Sequence, residues 1–442
     1  MKVYITTMGE IEKPFITAQV NPLLYNRLPA LVEAVKYRSI ETVQPRGKTS
    51  GYVAGDNLEF EISHDQFADL STACLFFDMS IATGTAHAIC NAADVIQRVE
   101  IKYNDVVVES FDHANYWCNA FLAYTATKDW VETEGTAMLG ISNQIVDSAC
   151  AARTRDNTTA LHMNYCIPLG LVCPFFRNHY YIPLMSNRLK ISFLLAPNLE
   201  VVSKASSFQG VYTLNTVSMI YDMIVVQDKY RDKVREAMQG SGIRIPFTSY
   251  DTHSLTLTGA ATNNLVLYHN LSNAISLHML EDSGSTEKKF ATGTHAMYCQ
   301  SFPCSEFGSL TVYSGSRYFT PQAGLRSFQE LYRSAELCVN GMTELQGSGF
   351  ISLDIMTSTY EADASTKTAA KYGLCLMSVN LEKQVISDDN VINEGINSND
   401  GFQQFNINLV TSKAIAGTDV LQCNIVCKKV LTLSGSGIIV DS

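Results

Sequence analysis

The order strand, tight turn, strand, helix occurs twice in this chain, and the two occurrences lie roughly two hundred residues apart, the size of one domain. The first is "ADVIQRVEIKYNDVVVESF", Ala93 to Phe111. Val99, Ile101 and Tyr103 alternate along one arm, and Val106 and Val108 share a face of the other. Between them Asn104-Asp105 accepts the positive φ of a primed hairpin turn. The apolar period then changes: Phe111, Ala114, Trp117, Cys118, Phe121 and Leu122 fit one helical stripe. The second occurrence is "GSLTVYSGSRYFTP", in which Leu310 and Val312 alternate, Gly315-Ser316 breaks the run and Tyr318 resumes it. A helix follows here as well. Ser327 and Glu330 have capping-box spacing, Phe328, Leu331, Tyr332 and Ala335 form the stripe, and Asn340-Gly341 is the stop.

A repeated order predicts two similar domains, and 442 residues are enough for two sandwiches but too many for one ordinary core. Strand patterns surround both hairpins. "DNLEFEISHD", "STACLFFDMSI", "HYYIPLMSNRLKISFLLAP" and "VYTLNTVSMIYDMIVV" belong to the first half. "IRIPFTSYDTHSLTLTG", "NNLVLYHN", "NAISLHMLED", "FQQFNINLVTS", "DVLQCNIVCKKVLTL" and "GIIVD" belong to the second. Between them "QDKYRDKVREAMQGSG" predicts a helix on Tyr230, Val234 and Met238, ended by Gly240. The 21 Tyr and 20 Phe favour strands over helices. Many short strands with irregular loops predict an all-β chain: two consecutive antiparallel jelly-roll β-sandwiches with a few short helices. The expected divisions are an N-terminal arm 1–38, a first jelly roll 39–228, a linker helix and turn 229–243, and a second jelly roll 244–442. The arm contains "NPLLYNRLPALVEAVKYR", where Leu24, Leu28, Leu31, Val32 and Val35 recur at near-helical spacing around Pro29. Such a stripe serves either its own domain or a neighbouring molecule.

Charge limits the partners. The formal net charge is −11 and no Lys/Arg-rich block occurs, so direct gripping of nucleic acid is not expected. No run of 18 or more apolar residues predicts a membrane span. "MKVYITTMGEIEKPF" places two acidic residues where a secretory leader needs an apolar core. The twelve cysteines are therefore expected as reduced thiols in a chain folded in the cytosol or nucleus. Cys74 and Cys423, inside apolar runs, are expected as small buried hydrophobes. The sequons at Asn157 and Asn270 then lack a secretory context.

No motif carries chemistry. HExxH, paired CxxC, Walker and G-x-S-x-G patterns do not occur, and the Gly-Ser-Gly runs at Gly240, Gly347 and Gly435 read as linkers. Cys423 and Cys427 lie on one face of a strand but too far apart for a single metal ion. Asp112-His113 and Asp251-x-His253 each supply two-thirds of a triad without a marked nucleophile. Asp388-Asp389 sits in a polar loop whose spacing fits no calcium site. Trp117 and Trp130 are expected in the core or packed on helices rather than stacked on sugars. No catalytic, cofactor-binding or metal-binding residue is assigned, no cofactor is expected, and an enzyme is not expected.

The run "DVIQRVEIKYNDVVVESFDHANYW" resembles a stretch of double jelly-roll major capsid proteins, with Asp94, Ile96, Arg98, Ile101, Glu109 and Tyr116 at the matching places. "YRSIETVQPRG", "NLEFEIS", "YDMIVVQDKYRDKV" and "GSLTVYSGSRYFTPQAGLRSFQELY" resemble the same family, so the likeness runs from about Tyr37 over nearly the whole chain. Its specificity lies in order and spacing rather than in any single motif. The family spans adenoviruses, tectiviruses, large nucleocytoplasmic DNA viruses, virophages and polinton-like viruses, and this chain looks most similar to the small polinton-like or virophage members. Asn-Asp at the hairpin turn, where Gly is expected, departs from the pattern. The resemblance implies a homotrimer of pseudo-hexagonal outline that tiles an icosahedral shell, with penton and minor capsid proteins as partners and the virion as its location. The rival is a two-domain carbohydrate- or receptor-binding sandwich, which would be expected to carry a leader and disulfides. A hydrolase on a jelly-roll scaffold would instead be expected to show clustered carboxylates or a metal triad.

Overall fold

The fold comes from a computed structural model that describes residues 35–81, 91–140, 161–178, 180–185, 187–201, 211–240, 242–282, 307–340, 375–382, 395–398, 401–412, 419–434 and 437–441. Nine strands precede the midpoint: β1 (Val35–Val43), β2 (Asn57–Ile62), β3 (Phe67–Ile81), β4 (Ile96–Tyr103), β5 (Val106–Asp112), β6 (Leu161–Pro168), β7 (Tyr181–Pro183), β8 (Leu189–Leu195) and β9 (Tyr212–Val226). Nine follow it: β10 (Ile243–Thr256), β11 (Thr262–Tyr268), β12 (Ala274–Asp282), β13 (Phe307–Ser314), β14 (Arg317–Tyr318), β15 (Met377–Asn380), β16 (Gln404–Thr411), β17 (Val420–Ser434) and β18 (Gly437–Asp441). Three longer helices punctuate them: α1 (Ala114–Thr125), α2 (Asp228–Gln239) and α3 (Phe328–Asn340).

The strands form four antiparallel sheets in two pairs. In the first half they run β1-β9-β3-β6, with β7 also on β3, and β2-β8-β4-β5. In the second they run β10-β17-β12-β15, with β18 also on β17, and β11-β16-β13-β14. Leaving out β7 and β18 and counting eight strands in each half, both halves read 1-8-3-6 and 2-7-4-5. First and last strands are neighbours, as two Greek keys wound into one sandwich require. Each half is a jelly roll, and the fold is the all-β pair that the repeat predicts.

Alternation builds the cores. In β3, Leu75, Phe77, Met79 and Ile81 are buried while the residues between them are half-buried. Leu189, Ile191, Phe193 and Leu195 of β8 do the same for the facing sheet, where Phe60 meets Phe193 edge-on at 6.0 Å between ring centroids. In the second half Leu310 and Val312 of β13 and Phe405, Ile407 and Leu409 of β16 are buried.

The first hairpin closes as read, with Asn104 at φ 46° and Asp105 at φ 65°. Its second arm differs from expectation. Ile101 pairs with Glu109 and Lys102 with Val107, so Val108 is an extra residue, a β-bulge. Val106 and Val108 therefore do not share a face: Val106 is 38% exposed and Val108 2%. The bulge also turns Glu109 inward, to 1% exposure. Two further expectations are corrected. Phe111 lies on β5, because α1 starts only at Ala114, after His113 in the left-handed region. Val35, placed on the helical stripe of the arm, begins β1 and pairs with Val226. A partner strand decides an isolated apolar residue that a weak periodicity leaves open. The remaining stripe residues, Leu24, Leu28, Leu31 and Val32, lie outside the described residues, as do Gly347, Gly435, Asn157 and Asp388-Asp389.

Candidate functional site: the junction between the halves

With no constellation for chemistry in the sequence, the surfaces at which the jelly rolls meet are the places to look for function. The first half brings β5 and α1 to this junction, and the second brings β10 and β12. Phe121 of α1 stands between Tyr250 (5.6 Å) and His278 (5.1 Å), and Phe111 of β5 reaches Tyr250 at 4.9 Å. Phe175, in a 3-10 turn at Pro174–Arg177, meets Phe247 edge-on at 5.1 Å, and Arg177 Nη1 donates to Tyr250 Oη at 3.4 Å. Trp117 is fully buried against Phe121. Aromatic rings thus meet across the junction, three of the four pairs in the edge-on geometry that suits their quadrupoles.

Polar groups sit inside this apolar seam. His278 is fully buried, its Nε2 3.0 Å from Ser276 Oγ and its Nδ1 2.8 Å from Ser378 Oγ. Burial pushes its imidazole down to about 3, so the ring is neutral at any ordinary pH. Glu109 faces the Ser249 hydroxyl, the Tyr250 amide and the Lys429 ammonium, yet neither of its oxygens makes a full hydrogen bond. Burial outweighs those groups and pushes its carboxyl up to about 7.

A second polar set fixes α1 in place. Asn91 Oδ1 accepts from the Ala93 amide at 2.9 Å, and Asn91 Nδ2 donates to Asn119 Oδ1 at 3.0 Å. Asn119 Nδ2 donates to Asp94, and Asn115 Nδ2 donates to the Asp94 carbonyl at 3.2 Å. Burial holds the Asp94 carboxyl well above the ordinary range against these donors. The hydrogen bonds of this set run between α1 and the turn before β4, so its physical role is to seat the helix that seals the junction.

The outer face of sheet β2-β8-β4-β5 has the opposite character. Arg46 pairs with Glu61 and, at 3.5 Å, with Glu59. Lys102 meets Glu100 at 2.5 Å, Arg98 meets Asp112 at 3.3 Å, and Lys190 meets Asp105 at 2.5 Å. This is a solvated face.

The residues singled out in the sequence fall apart in space. Asp112 is an ion-pair partner of Arg98, while His113 precedes α1 in a left-handed conformation. His253 Nε2 lies 2.9 Å from Asp251 Oδ2, a pair on the half-buried part of β10. Cys423 and Cys427 are both buried in β17; burial raises both thiols, that of Cys427 to about 12. Among the described residues no group of three or more His, Cys, Asp or Glu is gathered as a metal site, and no helix is long and apolar enough to cross a membrane. Trp117 is core and Trp130 donates from Nε1 to Glu134 at 2.9 Å, as expected of helix-packing residues. Cys74 is a correction: expected in the core, it is half-buried on the outer face of β3, opposite the buried Leu75. Asn270 is exposed and its Oδ1 accepts from Ser398 Oγ at 3.3 Å.

Two jelly rolls wound alike and joined edge to face define a double jelly roll, the fold of viral major capsid proteins. No protein-family model matches the chain, and no curated protein matches it. Solved structures do. The chain is similar to a chain of the Sputnik virophage particle, with a TM-score of 0.58, 11% identity, and coverage of 99% of this chain and 93% of that one. It is similar to the Faustovirus major capsid protein, with a TM-score of 0.57, 8% identity, and coverage of 98% and 93%. It is likewise similar to VP54 of the virus PBCV-1, with a TM-score of 0.56, 11% identity, and coverage of 92% and 97%. At such identities the likeness is one of fold, and it extends over essentially the full length of both partners.

Proposed function

We propose that this chain is the major capsid protein of an icosahedral DNA virus, a structural protein rather than an enzyme, assembling as homotrimers of pseudo-hexagonal outline. The observation that carries this reading is the identical strand order of the two halves, 1-8-3-6 and 2-7-4-5. Three copies of a chain with two like domains offer six like edges, which suits hexagonal tiling. The full-length likeness to a Faustovirus major capsid protein supports the same reading. In it, residues 39–228 and 244–442 are the two building units, joined by 229–243, and 1–38 is an arm. Assembly is the mechanism. Burial of apolar surface builds each jelly roll and each trimer, while smaller, more polar contacts join trimers and let a growing shell correct errors. Neighbouring capsomers, penton proteins and minor capsid proteins are its partners, the virion is its location, and with a net charge of −11 it does not itself grip the genome.

Light scattering and electron microscopy of the purified protein test this reading. A trimer of hexagonal outline is expected, and a monomer at every concentration would overturn it.

A further inference from the structure

Two cysteines of the first half lie side by side on neighbouring strands. In the β3–β6 register Cys74 faces Pro168 and Phe76 faces Cys166, so the two cysteines are diagonal neighbours on one side of the sheet. Leu75 and Ile167, between them, turn into the core and are fully buried. The thiols are in contact: Cys166 donates a hydrogen bond to Cys74. Cys74 donates in turn to the Thr72 main-chain oxygen at 3.6 Å. Both cysteines are half-buried, whereas the other described cysteines are buried.

Reactivity separates this pair from the rest. The thiolate is the nucleophile, and burial in apolar surroundings suppresses it. Burial pushes the Cys118 and Cys427 thiols up to about 12. At Cys74 the hydrogen bond from Cys166 lowers the thiol below its ordinary value, against partial burial and the nearby Asp222 carboxylate. The same bond holds the proton on Cys166. Cys74 is therefore the attacking thiol and Cys166 the one that resolves. A disulfide needs Cα atoms roughly 4.4–6.8 Å apart, whereas diagonal neighbours of an antiparallel pair stand at roughly 7–8 Å. One strand must give by about 1 Å. That strand is β6, which ends its sheet and, among the described residues, pairs only with β3.

We propose that Cys74 and Cys166 form a reversible disulfide when the folded chain meets a small disulfide oxidant of the glutathione class. The Cys74 thiolate attacks one sulfur of the oxidant, a mixed disulfide forms, and one glutathione leaves and takes up the proton that Cys74 released. Cys166, deprotonated in its turn, attacks Cys74 Sγ. The mixed disulfide breaks and the second glutathione leaves with the Cys166 proton. Two protein thiols are oxidised and one oxidant disulfide is reduced to two thiols. The bond closes a loop of about ninety residues that contains the first hairpin and α1, so it restricts the unfolded chain and ties down an edge strand. Its occasion rests on the shell-building reading above: a virion protein folds where thiols stay reduced and later meets an oxidising medium. The chemistry itself does not.

The test treats the reduced, purified full-length chain with glutathione disulfide. Remaining thiols are blocked with N-ethylmaleimide after unfolding, and peptides are mapped by mass spectrometry without reduction. Linked Cys74 and Cys166 peptides, two hydrogens lighter than the reduced pair, are the expected result, with maleimide on the buried cysteines. Dithiothreitol is expected to restore both thiols, and the linked chain to melt at a higher temperature than the reduced one. Cys166→Ser, at a half-buried position, is expected to stop at one glutathione on Cys74. Cys74→Ser is expected to slow glutathione capture at Cys166 by roughly tenfold or more. A lasting glutathione adduct on Cys74 of the parent chain, or both its thiols unmodified, would overturn the proposal. Light scattering of the same samples separates it from the shell reading. A linked pair in a chain that stays monomeric removes the shell and keeps the disulfide, and a trimer with unlinked thiols does the reverse.

Discussion

The hydroxyl of Tyr116 donates to the main-chain oxygen of Glu281 at 2.6 Å, and the two residues belong to opposite halves of the chain. Tyr116 stands in the first turn of α1 and Glu281 near the end of β12. Tyr116 also lies edge-on to Trp117, which stacks on Phe121, whose ring contacts His278. The helix that follows the first hairpin is thus a bracket between two sandwiches.

Tyr116→Phe keeps the ring and deletes the bond, leaving a buried acceptor short of its donor. A loss of about 1–2 kcal/mol in unfolding free energy is expected, as for an unsatisfied buried group. Tyr318→Phe, at a site 42% exposed, is expected to cost nothing measurable. Urea titration of the two variants beside the parent chain makes the comparison. Equal behaviour of the two would show that the bond does not contribute.

Glu109 has a carboxyl raised from 4.5 to about 7 in the folded chain, by burial first of all. The folded state therefore holds a proton between those values that the unfolded state has released. Stability contributed by this group is present at low pH and declines as pH rises from about 4.5 to about 7. Glu109→Gln removes the buried charge and keeps the shape. The variant is expected to gain on the parent chain as pH rises, by an amount on the order of 3 kcal/mol at pH 8. Thermal melts of both proteins from pH 5 to pH 8 provide the check, and parallel curves would count against it.

His278 works in the opposite direction. Burial lowers its imidazole from 6.5 to about 3, so the unfolded chain takes up a proton that the folded chain refuses. Its contribution is intact above pH 6.5 and falls as pH drops toward 3, by roughly 1.4 kcal/mol per pH unit. His278→Gln cannot be protonated, and its acid unfolding is expected to be shallower over that range. An unchanged acid transition would mean that other groups control it.

What the sequence displays is what local rules govern. Asn104-Asp105 marks the turn because few residue pairs accept two left-handed conformations, and Ser327 with Glu330 marks a helix start by spacing alone. The bulge at Val108 leaves no such mark. One extra residue in a run of three valines changes which side chains face the core, so Glu109 points inward although alternation would put it in solvent. Cys74 and Leu75 are both apolar neighbours on a strand, and periodicity alone does not say which of two apolar faces is covered. Tyr116 and Glu281 are separated by 165 positions, a distance over which no local pattern operates. Topology was legible because it follows from the order of elements. The polar contacts of the junction were not, because they follow from how finished domains meet.

The helix after the second hairpin offers a cleaner measurement, because its first turn is half in solvent. Glu330 accepts from the amides of Ser327 at 3.2 Å and Arg326 at 2.6 Å, while the Glu330 amide donates to Ser327 Oγ at 3.3 Å. These are the reciprocal bonds of a capping box, satisfying donors that helix geometry leaves without partners. Ser327→Ala is expected to cost about 1 kcal/mol, and Glu330→Ala about the same. Because each substitution leaves its partner in place but the box broken, the double variant is expected to cost less than the sum of the two. Urea unfolding of the four proteins in the cycle gives the coupling directly, and strict additivity would show that the two bonds form independently.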